Sequence, residues 1–141
     1  GFVVGNPDII AGMGKIKSHS DRGMFYPLQV AATAALNGSN EFMEDRNLMY
    51  QERRDVVVDG LRKCGIDVDS PKGTFYIWAP RPEGVVVSKD WCFKVLDEIA
   101  VWMIPGSMYG QYGEGYFRIA LTHPAERLSE AMERLNGYLA G

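Results

Sequence analysis

The chain has 141 residues, 46% of them hydrophobic, which is enough for one compact core, and its formal charge of −3 is spread over interspersed acids and bases. Such a balance argues against a nucleic-acid groove or a polybasic membrane patch. No apolar run approaches the roughly 18 residues that cross a bilayer, and no secretory leader pattern opens the chain, so a soluble, cytoplasmic protein is expected.

Gly1 to Gly5 is a short apolar strand pattern with nothing before it. Asn6-Pro7-Asp8 then supplies an N-cap, a proline suited to the first helical turn and an acid at the positive helix end, predicting a helix from about Pro7 to Ser18 with Ile9, Met13 and Ile16 in one stripe. Ser18 to Met24 reads as a loop. Pro27 opens an alanine-rich helix that Asn37-Gly38 ends, and a long helical pattern from Asn40 to Cys64 carries Phe42, Met49, Arg53, Val56, Val57 and Leu61 near one face, with Gly65 placed to stop it.

Thr74 to Ala79 alternates, with Phe75, Ile77 and Ala79 on one face and Thr74, Tyr76 and Trp78 on the other, and predicts a strand. Ser88 is expected to cap a helix bearing Trp91, Val95 and Ile99. Val101 to Ile104 is a second strand ended by Pro105-Gly106, and a glycine- and tyrosine-rich loop covers Ser107 to Gly115. Tyr116 to Leu121 is the third strand, and Pro124 opens a last helix on which Leu128, Met132, Leu135 and Leu139 recur at helical spacing. Helices packed on a small sheet of about three strands make an α+β architecture.

Arg118 is the leading candidate for chemistry. Period-two alternation places Phe117, Ile119 and Leu121 on one face and Arg118 with Tyr116 and Ala120 on the other, so an apolar strand carries one fixed cation. A guanidinium is a planar fork that matches a carboxylate bidentately and stays charged, whereas the plainer reading is a sheet-face arginine paired with a neighbouring acid. The loop Pro105 to Gly110 could bring backbone close to a ligand, or simply connect two strands. Gly12-Met13-Gly14 and Gly110 to Gly115 lack the spacing of a phosphate-binding fingerprint. His19 and His123 fit surface or capping roles, Cys64 and Cys92 fit packed thiols without metal-site spacing, and Tyr76, Trp78, Trp91 and Trp102 fit core packing.

Read in order, Gly1-Phe2-Val3-Val4-Gly5-Asn6-Pro7, Phe25-Tyr26-Pro27-Leu28-Gln29, Gly73-Thr74-Phe75-Tyr76-Ile77-Trp78, Pro105-Gly106-Ser107-Met108-Tyr109-Gly110 and Tyr116-Phe117-Arg118-Ile119-Ala120-Leu121 resemble class I/II aminotransferases of the pyridoxal-phosphate-dependent, aspartate aminotransferase-like fold type I. The resemblance covers essentially the whole chain. It implies that residues 1–25 are a remnant of the large cofactor domain and residues 26–141 the small C-terminal domain.

It also implies that Arg118 anchors the substrate α-carboxylate, while the Schiff-base lysine and the phosphate-binding arginine precede Gly1. Lys15, Lys17, Lys63, Lys72, Lys89 and Lys94 all lie outside the matching motif, so no catalytic, cofactor-binding or metal-binding residue is expected here. Pyridoxal 5'-phosphate belongs to the complete parent enzyme and is not expected to bind this fragment stably. The implied partners are an amino acid and a 2-oxo acid, the missing large domain and a second subunit in a homodimer, with no nucleic acid or membrane; the Ser18 to Met24 loop falls where the neighbour's cofactor pocket would be reached, and Arg22 is its charged residue. Two other readings stay open: another fold-type-I enzyme such as a lyase, and a non-catalytic module that binds a small carboxylate or a protein.

Overall fold

The computed structural model describes residues 3–21 and 23–141. The chain divides into two compact units, Gly1–Asn40 and Glu41–Gly141.

The first unit contains α1 (Pro7–Ser20) and α2 (Tyr26–Asn37). The expected cap forms: Asn6 Oδ1 accepts from the Asp8 amide at 2.9 Å and from the Ile9 amide at 3.4 Å, with Pro7 in the first turn. α1 runs two residues past the predicted end, because Ser18 and Ser20 turn their hydroxyls back onto the Lys15 and Ile16 carbonyls and Lys17 pairs with Asp21 at 2.7 Å. Neither helix has a buried residue. The strand expected at Gly1 to Gly5 is not formed by Val3 or Val4, which are exposed and unpaired; Gly1, Phe2 and Arg22 lie outside the described residues.

The second unit is built on α3 (Glu41–Lys63), β1 (Tyr76–Pro80), α4 (Ser88–Ile99), β2 (Ile104–Pro105), β3 (Tyr116–Ala120) and α5 (Ala125–Ala140). Its sheet is antiparallel with β3 central, in the order β1-β3-β2. The inner face of the sheet, Ile77, Ala79, Phe117 and Ile119, packs with Val57, Val58 and Leu61 of α3, Cys92 and Val95 of α4, and Leu128, Met132 and Leu135 of α5 in one core. The architecture is α+β, as the alternation of patterns predicted. Gly60 sits where α3 meets α5: a Cβ there would overlap the Met132 side chain. Gly65 stops α3 in the left-handed region (φ +78°), with the Ile66 amide donating to the Leu61 carbonyl at 3.0 Å.

Three expectations change. The strand predicted from Thr74 begins only at Tyr76, because Thr74 is held at φ +72°, outside extended backbone. β2 is two residues long rather than four. Val101 and Met103 are buried and Trp102 exposed, so their alternation reflects burial, while hydrogen bonding to β3 ends at Ile104. Ser88 is not the cap of α4; Val87 holds that position and Ser88 is a buried first helical residue whose amide and hydroxyl both donate to Glu114 Oε1 at 2.8 Å.

Candidate functional site

β3 places Arg118 in the middle of the sheet, opposite Trp78 on one side and Ile104 on the other. Cross-strand partners share a face. The outer face of the unit's sheet therefore carries Tyr76, Trp78, Tyr116 and Arg118, while Phe117 and Ile119 point to the core as predicted.

The Arg118 guanidinium carbon lies 4.0 Å from the centre of the Tyr76 ring and 5.0 Å from that of Tyr109. Such contacts contribute about 0.5–2 kcal/mol, more as the cation is desolvated. No carboxylate is within ion-pair distance of Arg118 among the described residues, and its Nε is buried without a hydrogen-bond partner. The sheet-face ion pair weighed from the sequence is thus not what the fold builds. A cation is held by rings, with donors left unspent, and unspent buried donors cost free energy until a ligand or water meets them.

Tyr109 reaches Arg118 because the Gly106–Tyr109 stretch folds into a tight 3-10 turn seated on β3. Gly106 is buried, and a Cβ on it would lie 2.9 Å from the Tyr116 carbonyl oxygen and 3.0 Å from the Trp78 ring while overlapping the Gly113 carbonyl. The glycine is required by protein-to-protein packing: its missing side chain lets the loop press against the strand and swing Tyr109 over the guanidinium. Trp78 then supports Tyr109 edge-on at 5.8 Å and stacks on Tyr116 at 5.7 Å. Trp78 is 42% exposed and Trp102 49%, so the core-packing expectation holds for Trp91, which meets Phe117 at 5.1 Å, but not for these two. Tyr76 is half-buried beside Arg118.

The far end of the loop is fastened to α4. Glu114 Oε1 accepts from the Ser88 amide and hydroxyl and, at 3.0 Å, from the Gly115 amide. The Ser88 amide and hydroxyl, then the Gly115 amide and the Arg81 charge, hold the Glu114 carboxyl below the usual carboxylate range. Burial, with Glu114's charge second, pushes the Cys92 thiol up to about 12, and burial raises Cys64 as well; Cys92 lies in the core and Cys64 packs against it. Arg53 of α3 donates to the Leu121 carbonyl at 3.1 Å, just past the end of β3. The sequence placed Arg53 on the helix face without giving it a role.

His19 lies exposed in α1 with Nδ1 2.7 Å from the Lys15 carbonyl, and His123 lines a separate cavity of about 390 Å³ between Val101–Met103 and α5. The two arginines there, Arg127 and Arg134, both pair with Glu130, and Arg118 is not part of that cavity. All six lysines are exposed, and no His/Cys/Asp/Glu cluster able to hold a metal exists among the described residues. Nor is any helix among them long and apolar enough to cross a membrane.

The model of the aminotransferase class I and II family matches residues 1–135. The chain is 48% identical over 139 residues to an LL-diaminopimelate aminotransferase of Desulforudis audaxviator and 45% identical over 139 residues to that of Moorella thermoacetica, covering 99% of this chain and 35% of each relative. It therefore spans about a third of the length of the curated relatives it matches. An aminotransferase structure from Staphylococcus aureus superposes with a TM-score of 0.87 at 33% identity, over 97% of this chain and 36% of that one. With the expected motifs in order on a unit of the expected α+β class, the chain belongs to the class I and II aminotransferases of fold type I.

Proposed function

We propose that this chain is the C-terminal part of a pyridoxal-phosphate-dependent enzyme that moves an amino group between an amino acid and a 2-oxo acid, and that Arg118 binds the substrate α-carboxylate. The observation that carries the second half is the arginine itself: a strand-mounted guanidinium, held by two rings, unpaired with any described acid and with Nε lacking a partner. A bidentate carboxylate is the ligand whose geometry and charge match its free donors. The names of the relatives support LL-diaminopimelate as the amino donor.

This chain's contribution is orientation. A carboxylate fixed on Arg118 sets which substituent of Cα faces the reacting group, and positioning of well-oriented bound reactants accounts for up to about 7–11 kcal/mol of barrier reduction. The cofactor would supply the electron sink. The residues present do not fit that cofactor: every lysine is exposed, and none sits in an enclosed pocket that would shelter a covalently held ring. Its pocket accordingly belongs to the rest of the proposed parent, a large domain to which residues 1–25 would also belong, with residues 26–141 as the small domain and a homodimer as the assembly.

The test is Arg118→Lys in the complete enzyme. The ammonium keeps charge but loses the fork, so kcat/KM for the amino acid should fall at least tenfold, about 1.4 kcal/mol, with thermal unfolding unchanged. Wild-type turnover by that variant would remove the carboxylate role.

A further inference from the structure

We propose that Tyr76 and Tyr109 are positioning residues for Arg118, their rings fixing the orientation in which the guanidinium meets a carboxylate. The inference rests on the carboxylate reading of Arg118 and adds the residues that aim it. An arginine side chain has several free torsions, and an arginine on a sheet face is ordinarily oriented by hydrogen bonds to an acid or a carbonyl. Arg118 has neither among the described residues. What surrounds its head instead is aromatic, Tyr76 at 4.0 Å and Tyr109 at 5.0 Å.

Each ring is itself held. Tyr76 lies 4.4 Å from Phe75, which in turn meets Tyr50 at 5.9 Å, and Tyr109 rests on Trp78. The two rings come from different parts of the unit, one from β1 and one from the turn that Gly106 seats, so the cation is restrained from two separately anchored elements. Ring faces attract the cation without consuming N–H donors, which leaves the fork free for the ligand. Neither tyrosine hydroxyl makes a hydrogen bond to the described residues, so the ring and not the hydroxyl carries the effect.

The experiment follows the Arg118 side-chain signals by NMR in this 141-residue chain, free and titrated with glutarate. In the wild type, rotation about the guanidinium Cζ–Nε bond should be slowed relative to the other arginines and glutarate should shift the Arg118 Nε–H signal. Tyr109→Leu and Tyr76→Leu should each release the rotation and raise the glutarate Kd about fivefold, while Tyr109→Phe and Tyr76→Phe should match wild type. Tyr109 is exposed, so its leucine variant keeps the core intact, and amide spectra verify folding of each variant. Leucine variants with wild-type rotation and affinity would overturn the positioning role. A wild-type chain that bound no glutarate would instead sink the carboxylate reading, and the rotation rates would still decide whether the rings hold the guanidinium.

Discussion

Glu114 caps a helix that begins 26 residues earlier: its Oε1 lies 2.8 Å from both the amide nitrogen and the hydroxyl of Ser88, the first helical residue of α4. The contact closes the loop that carries Tyr109, since the Gly115 amide joins the same oxygen and Ser88 Oγ accepts from that amide at 3.1 Å. An anionic oxygen at the positive end of a helix satisfies otherwise orphaned amides and is favoured by the helix dipole.

This cap makes stability depend on acid in a definite direction. The folded-state pKa of Glu114 is depressed, chiefly by the Ser88 amide, below the ordinary value of 4.5. Its contribution is therefore complete above that value and is lost as pH falls through the lower, folded value. Glu114→Gln should lower Tm by several degrees at neutral pH and flatten the decline of Tm below pH 4.5. Coincident Tm-against-pH curves for the variant and wild type, measured by circular dichroism, would show that the cap contributes nothing, and parallel but offset curves that its contribution is not linked to the carboxyl's titration.

Period-two and helical spacing mark the buried side of β1, β3 and α5, where Ile77, Ala79, Phe117, Ile119, Leu128, Met132 and Leu135 are core and Arg118 is not, but not of α1, whose Ile9, Met13 and Ile16 stripe is exposed; Asn6 and Gly65 begin and end their helices where their chemistry demands. Contacts between distant segments were not legible. Nothing near Ser88 announces Glu114, and the role of Trp78 emerges only once the register places it beside Arg118. β2 was overestimated for a related reason. Alternating burial at Val101 and Met103 imitates a strand whose hydrogen bonds stop at Ile104, because burial pattern and pairing are separate properties. Tyr109's approach depends on a backbone-to-backbone contact of Gly106 with Gly113, which leaves no periodic trace.

Thr74 is the second test. A β-branched residue at φ +72° sits in the region that L side chains avoid, two residues before Tyr76. Strain of this kind costs roughly 1–3 kcal/mol, while glycine adds about 0.5–1 kcal/mol of unfolded-state entropy. Thr74→Gly should therefore stabilise the second unit by about 1 kcal/mol, and Thr74→Asn, which tolerates the same backbone, should also raise Tm. A lower Tm for both variants would mean that the threonine side chain contributes more than its backbone costs.

The first unit gives the last test. α1 and α2 bury no residue, leaving Ile9, Met13, Ile16, Leu28 and Leu36 exposed. Helices of 14 and 12 residues are marginal in water without a face to bury, because nucleation is costly and propagation per residue nearly neutral. Amides within Pro7–Ser20 and Tyr26–Asn37 should thus exchange with solvent orders of magnitude faster than those of Phe117 or Leu61, which sit in the core. Exchange measured at several protein concentrations separates two routes to protection: slowing that grows with concentration means the apolar stripes cover one another between copies, as exposed apolar surface favours. Concentration-independent protection of α1 and α2 equal to that of β3 would show that the 141 residues stabilise these helices unaided, and the proposal that a large domain of the parent enzyme covers the Ile9–Met13–Ile16 stripe would lose its physical support.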